Sequence, residues 1–206
     1  MNAISKFLVV AVLCVASSAQ AVVINSMAGG TSRAFSPLNE YTAGPVSENG
    51  FTWTSTSSNS VYGWMDSYGL ASNGSWYLFP HIGLDEGSSS SQYMTITFDN
   101  PVSSVLAFLN YAAPDYGSPY MAIYDVSNVL LEQHFLNIST PDGVNAGEDW
   151  GFSQSSATIK SFVLGDAYIV AANLRTDGSA VPEPASLALL GIGLAGIAGM
   201  RRRLRT

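Results

Sequence analysis

The central part of this sequence predicts an all-β domain, a single β-sandwich of jelly-roll type, between two apolar ends. Its apolar residues either alternate with polar ones or form short runs, and glycine, serine, asparagine and aspartate separate these segments. Outside the ends, no stretch of ten residues has the helical period, and no internal repeat indicates a solenoid. The predicted sandwich covers residues 22–175, a length that buries a sizeable core without disulfides.

The predicted strands follow one another along this central part. Tyr93–Phe98 alternates in polarity, which is typical of a half-buried strand, and Asp99-Asn100-Pro101 predicts a turn after it. Val105–Leu109 is continuously apolar, which predicts a central strand of the sandwich. The other predicted strands are Phe51–Thr56, Trp76–Phe79, Met121–Val126, Val129–Phe135, Thr158–Leu164 and Tyr168–Leu174, with a hairpin turn at Ser127-Asn128 and a junction around Gly165-Asp166.

The N-terminal 21 residues have the pattern of a removable export signal. Met1–Lys6 is a short charged segment, Phe7–Ala16 is apolar, and the small residues Ala19 and Ala21 predict cleavage by signal peptidase after Ala21. The alternative is a buried N-terminal strand or helix. Cleavage would remove the only cysteine, Cys14, so the mature protein is predicted to have no disulfide or thiolate chemistry.

The C-terminus combines a short motif, an apolar segment and a basic cluster. After a predicted linker at 176–180, the motif Val181-Pro182-Glu183-Pro184 precedes uncharged residues 185–200 and a tail at 201–206 with four arginines, Arg201, Arg202, Arg203 and Arg205. As a helix, 185–200 would be about 24 Å long, and snorkelling arginines would extend its reach toward a hydrocarbon core of about 30 Å. We therefore predict a membrane helix with its arginines in the cytoplasm and the body outside.

This ordered tail resembles the PEP-CTERM sorting signal of Gram-negative bacteria, which is also catalogued as an ice-binding-protein C-terminal domain. The resemblance covers the last 26 residues. It implies that an exosortase-type membrane protease recognises the motif at 181–184 as a substrate. The two prolines agree with this, since they keep the motif extended, as a protease cleft requires. The resemblance further implies export across the inner membrane to the cell surface or the extracellular space, with a transient or retained membrane anchor, in bacteria that make exopolysaccharide.

The charge balance argues against a nucleic acid partner. Residues 22–180 contain three cations against fourteen carboxylates, so this part of the chain has a net charge of −11. Binding to phosphates needs a cationic face, which such a body lacks. The G-x-G-x-x-G pattern at 191–196 is not a dinucleotide site either, because a proline-bounded linker and not a β-strand precedes it.

No catalytic constellation is recognisable, so the body is predicted to be no enzyme and to need no cofactor. His81 and His134 lack metal-ligand spacing, and no G-x-S-x-G elbow is present. Two carboxylate pairs are candidates for a structural calcium ion, although solvated acidic turns are the favoured interpretation: Asp85, Glu86, Glu148 and Asp149. A secreted glycan hydrolase, the alternative enzyme function, would use the same carboxylates.

Aromatic residues indicate the preferred function, a structural or polysaccharide-binding module. The loop at 110–120 contains Tyr111, Tyr116 and Tyr120, and aromatic faces beside polar loops suit sugar rings, so we predict that these tyrosines contact extracellular polysaccharide. Core packing explains a second aromatic group equally well: Trp53, Tyr62, Trp64, Tyr68, Trp76 and Tyr77. Threonine runs such as Thr52-Trp53-Thr54 raise ice binding as a further alternative, but no regular T-x-T ladder is visible.

Overall fold

The strands of this protein form two antiparallel sheets. The computed structural model describes residues 21–65, 79–84, 91–111, 117–136, 147–166 and 168–177, and within these ranges the regular structure is entirely β. The strands are β1 (Val22–Ile24), β2 (Thr31–Ser32), β3 (Glu40–Tyr41), β4 (Val46–Glu48), β5 (Phe51–Ser55), β6 (Val61–Trp64), β7 (His81–Gly83), β8 (Tyr93–Val102), β9 (Ser104–Asn110), β10 (Tyr120–Tyr124), β11 (Leu130–Phe135), β12 (Glu148–Ser153), β13 (Ile159–Gly165) and β14 (Val170–Thr176).

The two sheets form a sandwich, and the chain passes repeatedly from one sheet to the other. One sheet has the order β1-β12-β9-β14-β7-β6-β3, with β2 paired to β14, and the other has the order β11-β10-β13-β8-β5-β4. Apolar side chains from both sheets form one buried cluster between them. The predicted all-β sandwich is therefore confirmed.

Several predictions lie outside the described residues. These are the signal peptide at 1–20, the linker from residue 178 onward, the sorting motif, the membrane helix at 185–200 and the basic tail. The predicted start of the linker at 176 was wrong, because Thr176 is the last residue of β14. Within the described ranges, no helix is long and apolar enough to cross a membrane.

The central strand β9 was predicted correctly from its continuous apolar run. All seven of its residues are buried, and it lies between β12 and β14. Val105, Ala107 and Leu109 belong to the main core. Phe108 points to the other face, where it forms a small cluster with Val170 and Ala172.

The turn predicted at Asp99-Asn100-Pro101 was wrong, because β8 continues through these residues to Val102. Thr97 pairs with Ser161 but Val102 pairs with Ile159, so residues 98–101 bulge opposite Lys160. The bulge is held where the Asp99 N–H donates to the Gly50 carbonyl (2.9 Å) and Lys160 Nζ donates to the Asp99 carbonyl (3.0 Å). Proline is compatible with such a bulge, since the ladder there needs no donor from it.

The hairpin predicted around Ser127-Asn128 is confirmed as β10 and β11. Asp125 closes its turn, because its Oδ1 accepts hydrogen bonds from the N–H groups of Ser127 and Val129, each at 2.8 Å. Asn128 has a φ of 59°, a left-handed conformation that asparagine adopts more readily than most residues. The tight turn brings Asn128 to the end of β10, beside Tyr124.

A partly buried carboxylate joins the two sheets. Glu48 on β4 accepts hydrogen bonds from the Ser36 N–H (2.7 Å), from the Ser36 hydroxyl and from the hydroxyl of Tyr62 on β6 (2.5 Å). Burial raises the pKa of Glu48, but these hydrogen bonds from Ser36 and Tyr62 together outweigh it and lower the pKa below its usual 4.5. Burial and the neighbouring Glu48 raise the pKa of Tyr62 well above its ordinary range. Glu48 is therefore ionised near neutral pH, and Tyr62 remains its donor.

Candidate functional site

The outer face of the six-stranded sheet contains a pocket between three tyrosines, which we call the tyrosine pocket. It encloses about 310 Å³. It is lined by Tyr93, Thr95, Tyr120, Tyr124, Asn128, Ser161 and Val163, none of which carries a formal charge. The lining comes from the adjacent strands β8, β13 and β10 and from the β10–β11 turn.

Strand alternation aims these side chains outward. On β8, Met94 and Ile96 point into the core, so Tyr93 and Thr95 point to the opposite face. On β10, the same rule places Tyr120 and Tyr124 on the outer face, since Met121 and Ile123 are in the core.

The pocket has walls of tyrosine and a floor of small side chains. Ser161 and Val163 on the central strand β13 are each only 7% exposed, although they face outward. Tyr93 is 43% exposed, so its ring projects beyond this floor. Because three neighbouring strands carry the lining, the pocket is largely preformed and does not depend on ordering a loop.

Gly165 sets the position of one wall. In the ladder it pairs with Tyr93 on one side and with Tyr120 on the other. A Cβ atom on Gly165 would lie 2.3 Å from Cε1 of Tyr120, so the Tyr120 ring lies directly across the glycine backbone. The ring also makes an edge contact with Phe135 of β11, with centroids 6.2 Å apart.

The Tyr120 hydroxyl is held in its protonated form. Burial raises the pKa of Tyr120, and interactions with Asp166, Tyr124 and Tyr93 raise it further. The phenol is therefore available as a hydrogen-bond donor at the rim of the pocket throughout the neutral range.

Of the tyrosines predicted to contact sugar that the structure describes, Tyr120 lines this pocket and Tyr111 does not. The prediction of an exposed Tyr111 was wrong: it is 3% exposed and belongs to the core. It follows Leu109 by two positions, so the inward alternation of β9 continues to it. Tyr116 lies outside the described residues. Sequence reasoning missed Tyr93 and Tyr124, which strand alternation and the four-residue spacing from Tyr120 could have revealed.

The proposed calcium or catalytic carboxylates that the structure describes lie in a strand and not in an acidic turn. Glu148 and Asp149 were predicted to be in a turn, but they are the first residues of β12. Asp149 forms an ion pair with Arg175 of β14, at 3.4 Å. Asp85 and Glu86 lie outside the described residues. In the part of the chain that the structure describes, no group of three or more His, Cys, Asp or Glu side chains could hold a metal ion.

The remaining aromatic candidates serve other contacts. Trp53 and Tyr62 are fully buried and pack against each other with centroids 5.0 Å apart, so core packing is confirmed for both. Trp64 on β6 makes an edge contact with Tyr41 on the neighbouring strand β3 of the eight-stranded sheet. Tyr68, Trp76 and Tyr77 are outside the described residues.

The two histidines lie on different sheets. His81 is fully buried on β7 of the eight-stranded sheet. His134 is on β11 of the six-stranded sheet and stacks on Trp150, with centroids 5.4 Å apart and an interplanar angle of 24°.

Hydroxyl side chains continue the outer face beyond the tyrosine pocket, and we call them the hydroxyl strip: Ser47, Thr52, Thr54, Thr95 and Thr97. Two T-x-T segments lie side by side there, since Thr52 pairs with Thr97 and Thr54 with Thr95. Ser47 extends the array to β4, with its hydroxyl 2.8 Å from that of Thr52. The sequence has no regular T-x-T ladder, and this pair of segments, whose members are distant in sequence, is brought together by the pairing of β5 with β8.

The comparison with protein families concerns the C-terminus. Residues 180–203 match the PEP-CTERM protein-sorting motif. The chain carries a PEP-CTERM sorting motif. The resemblance noted from the sequence is thus confirmed. The PEP-CTERM motif implies processing by an exosortase, a membrane protease, and export to the cell surface with a C-terminal membrane-anchored region.

The body of the chain has more distant similarities. No curated protein matches it. One matching solved structure is the N-terminal endo-1,4-β-D-xylanase 10B of Clostridium thermocellum, as CBM22-1-GH10 modules complexed with xylohexaose, with 9% identity and a TM-score of 0.31. The match covers 75% of this chain and 30% of that one, so this chain spans less than a third of that protein's length.

Proposed function

We propose that the body of this exported protein is a polysaccharide-binding module whose site is the tyrosine pocket. The observation that carries the proposal is the arrangement of Tyr93, Tyr120 and Tyr124 around a floor of small side chains on an exposed sheet face. The faces of aromatic rings pack against the C–H faces of sugars, while nearby polar groups orient the hydroxyls.

The pocket supplies both kinds of contact. Its rings provide apolar area, and Thr95, Asn128 and Ser161 provide uncharged donors and acceptors beside them. Sugar hydroxyls donate and accept in the same way, so each polar group buried by the ligand can be paired. An exported protein that meets extracellular polysaccharide would use such a site for attachment or for matrix structure.

We propose binding without hydrolysis. A glycosidase of the usual kind places two carboxyl groups about 5–9.5 Å apart across the scissile bond. The lining of the pocket contains no carboxylate. Glu148 and Asp149, the described carboxylates of the hydrolase hypothesis, lie on β12 of the opposite sheet. The module as proposed needs no cofactor.

The proposed export and processing of the protein follow from the two ends of the chain. Signal peptidase would remove the segment up to Ala21, and an exosortase would recognise the motif around Pro182–Pro184 at the membrane. The apolar segment at 185–200 would hold the protein there until processing. The acidic body would then face the polysaccharide layer outside the cell.

The test measures retention of the purified mature protein, kept in detergent, on a panel of insoluble polysaccharides that includes the producer's own. Replacing Tyr120 and Tyr124 together by alanine should abolish retention. Tyr41→Ala is the matched control, because Tyr41 is 62% exposed on β3 of the other sheet. Undiminished retention of the double variant would overturn the assignment of the site. New reducing ends released by the wild type would overturn binding without hydrolysis.

Ice binding is a second candidate function, because the paired threonines of the hydroxyl strip form a regular array. An ice plane needs a flat surface, however, and the half-exposed Tyr93 projects beside the array. A measurement of thermal hysteresis separates the two functions. A difference between the melting and freezing temperatures that disappears in the double variant Thr52→Val, Thr54→Val would favour ice binding.

A further inference from the structure

The tyrosine pocket opens directly onto the hydroxyl strip. Thr95 belongs to both, since it lines the pocket and pairs with Thr54 of β5. In the neighbouring row, Thr97 pairs with Ser161 of the pocket floor on one side and with Thr52 on the other. The two surfaces are therefore one continuous polar path that runs across the strands.

The path is longer than the pocket. From Ser47 on β4 through Thr52 and Thr97 to Ser161 on β13, the row crosses four adjacent strands. Neighbouring strands are about 4.8 Å apart, so this row is about 14 Å long. The pocket alone encloses about 310 Å³, at the lower end of the range for small-ligand sites. A ligand that fills both must be extended, with its long axis across the strands.

The charges around the path favour a neutral ligand. The strip and the pocket lining consist of uncharged side chains. Two carboxylates lie beside the path. Asp166 follows Gly165, and its charge raises the pKa of the Tyr120 hydroxyl, while Asp125 closes the turn that carries Asn128. With a net charge of −11 over residues 22–180, the body would repel a polyanion such as a uronic acid polymer.

We propose that the ligand is a neutral polysaccharide chain, with one part in the tyrosine pocket and the adjoining units on the hydroxyl strip of β8, β5 and β4. This inference rests on the proposed function, because it extends the same site. The strip supplies hydroxyl groups that can both donate and accept, which matches the hydroxyls of neutral sugars without requiring a cation.

The test is calorimetric titration of the mature protein in detergent with dimers and hexamers of glucose, xylose and mannose, and with galacturonic acid hexamers as the anionic match. A neutral hexamer should bind about tenfold more tightly than its dimer, as expected if the strip adds two net hydrogen bonds. Thr52→Val with Thr54→Val should bring hexamer affinity down to that of the dimer and leave dimer affinity unchanged. Thr31→Val is the control, because Thr31 is an exposed threonine on β2 of the other sheet.

The outcomes separate this inference from the function on which it rests. If no sugar binds, the proposed function fails and the inference falls with it. Two results would refute the role of the hydroxyl strip without affecting the proposed binding in the tyrosine pocket. These are equal affinity for dimer and hexamer, and a hexamer affinity that the threonine replacements do not change. Tighter binding of the galacturonic acid hexamer would overturn the neutral ligand.

Discussion

Gly165→Ala tests whether the position of the Tyr120 ring, and not merely its presence, makes the site. The new Cβ would lie 2.3 Å from Cε1, 2.4 Å from Cζ and 2.6 Å from the hydroxyl oxygen of Tyr120. Carbon atoms in contact are about 3.5–4.0 Å apart, so the ring must move outward by at least about 1.2 Å. The methyl group would then occupy the place where the ring now lies.

The cost of this movement falls on binding more than on stability. The clashing atoms are the outer end of a side chain that can rotate, and alanine in a strand is favoured over glycine by roughly 0.5–1 kcal/mol. We therefore expect the free energy of unfolding to change by less than about 1 kcal/mol. Because the displaced ring loses its contact with Phe135 and its place in the wall, we expect ligand affinity to fall about tenfold, or about 1.4 kcal/mol.

A double-mutant cycle with Tyr120→Ala shows whether the glycine acts through the ring. Affinity is measured by calorimetry and the free energy of unfolding by urea titration, for the wild type, both single variants and the double variant. Gly165→Ala should cost no further affinity once the Tyr120 ring is gone. Full affinity of the Gly165→Ala protein, or losses that simply add, would refute the reasoning.

Two further predictions concern the partly buried carboxylate of Glu48 and the sorting motif. Because hydrogen bonds lower the pKa of Glu48 below 4.5, its contribution to stability is complete above that pH and is lost as the pH falls through the folded-state pKa. Urea unfolding should therefore show that Glu48→Gln is about 2 kcal/mol less stable than the wild type at pH 7 and that this difference shrinks toward pH 3. A difference that stays constant with pH would contradict this prediction. Replacement of Pro182, Glu183 and Pro184 by alanine should leave the tail uncleaved and alter the destination of the protein, as judged by cell fractionation and mass spectrometry, and an unchanged destination would contradict the sorting role.

Seven of the described strands, β5, β8–β11, β13 and β14, were predictable because each leaves a local pattern of period two or a short apolar run, whereas β1–β4, β6, β7 and β12 were not predicted. Tyr93–Phe98 and Val105–Leu109 show these patterns, and both lie in strands of the structure. Sheet membership was not predictable, since β13 and β14 are separated by a few residues and yet lie in different sheets. The bulge at 98–101 was missed because its aspartate, asparagine and proline are equally typical of a turn.

The site was only partly predictable, because it is assembled by strand pairing and not by proximity in the sequence. The loop at 110–120 drew attention to Tyr111 and Tyr120, but alternation sends the first inward and the second outward. Tyr93 joins Tyr120 only because both pair with Gly165, a register that depends on how β8, β13 and β10 bury their apolar faces. The same register aligns the two T-x-T segments. A single glycine and one choice of register thus convert scattered tyrosines and threonines into a continuous surface, and this is why Gly165, which has no side chain to contact a ligand, is expected to control binding.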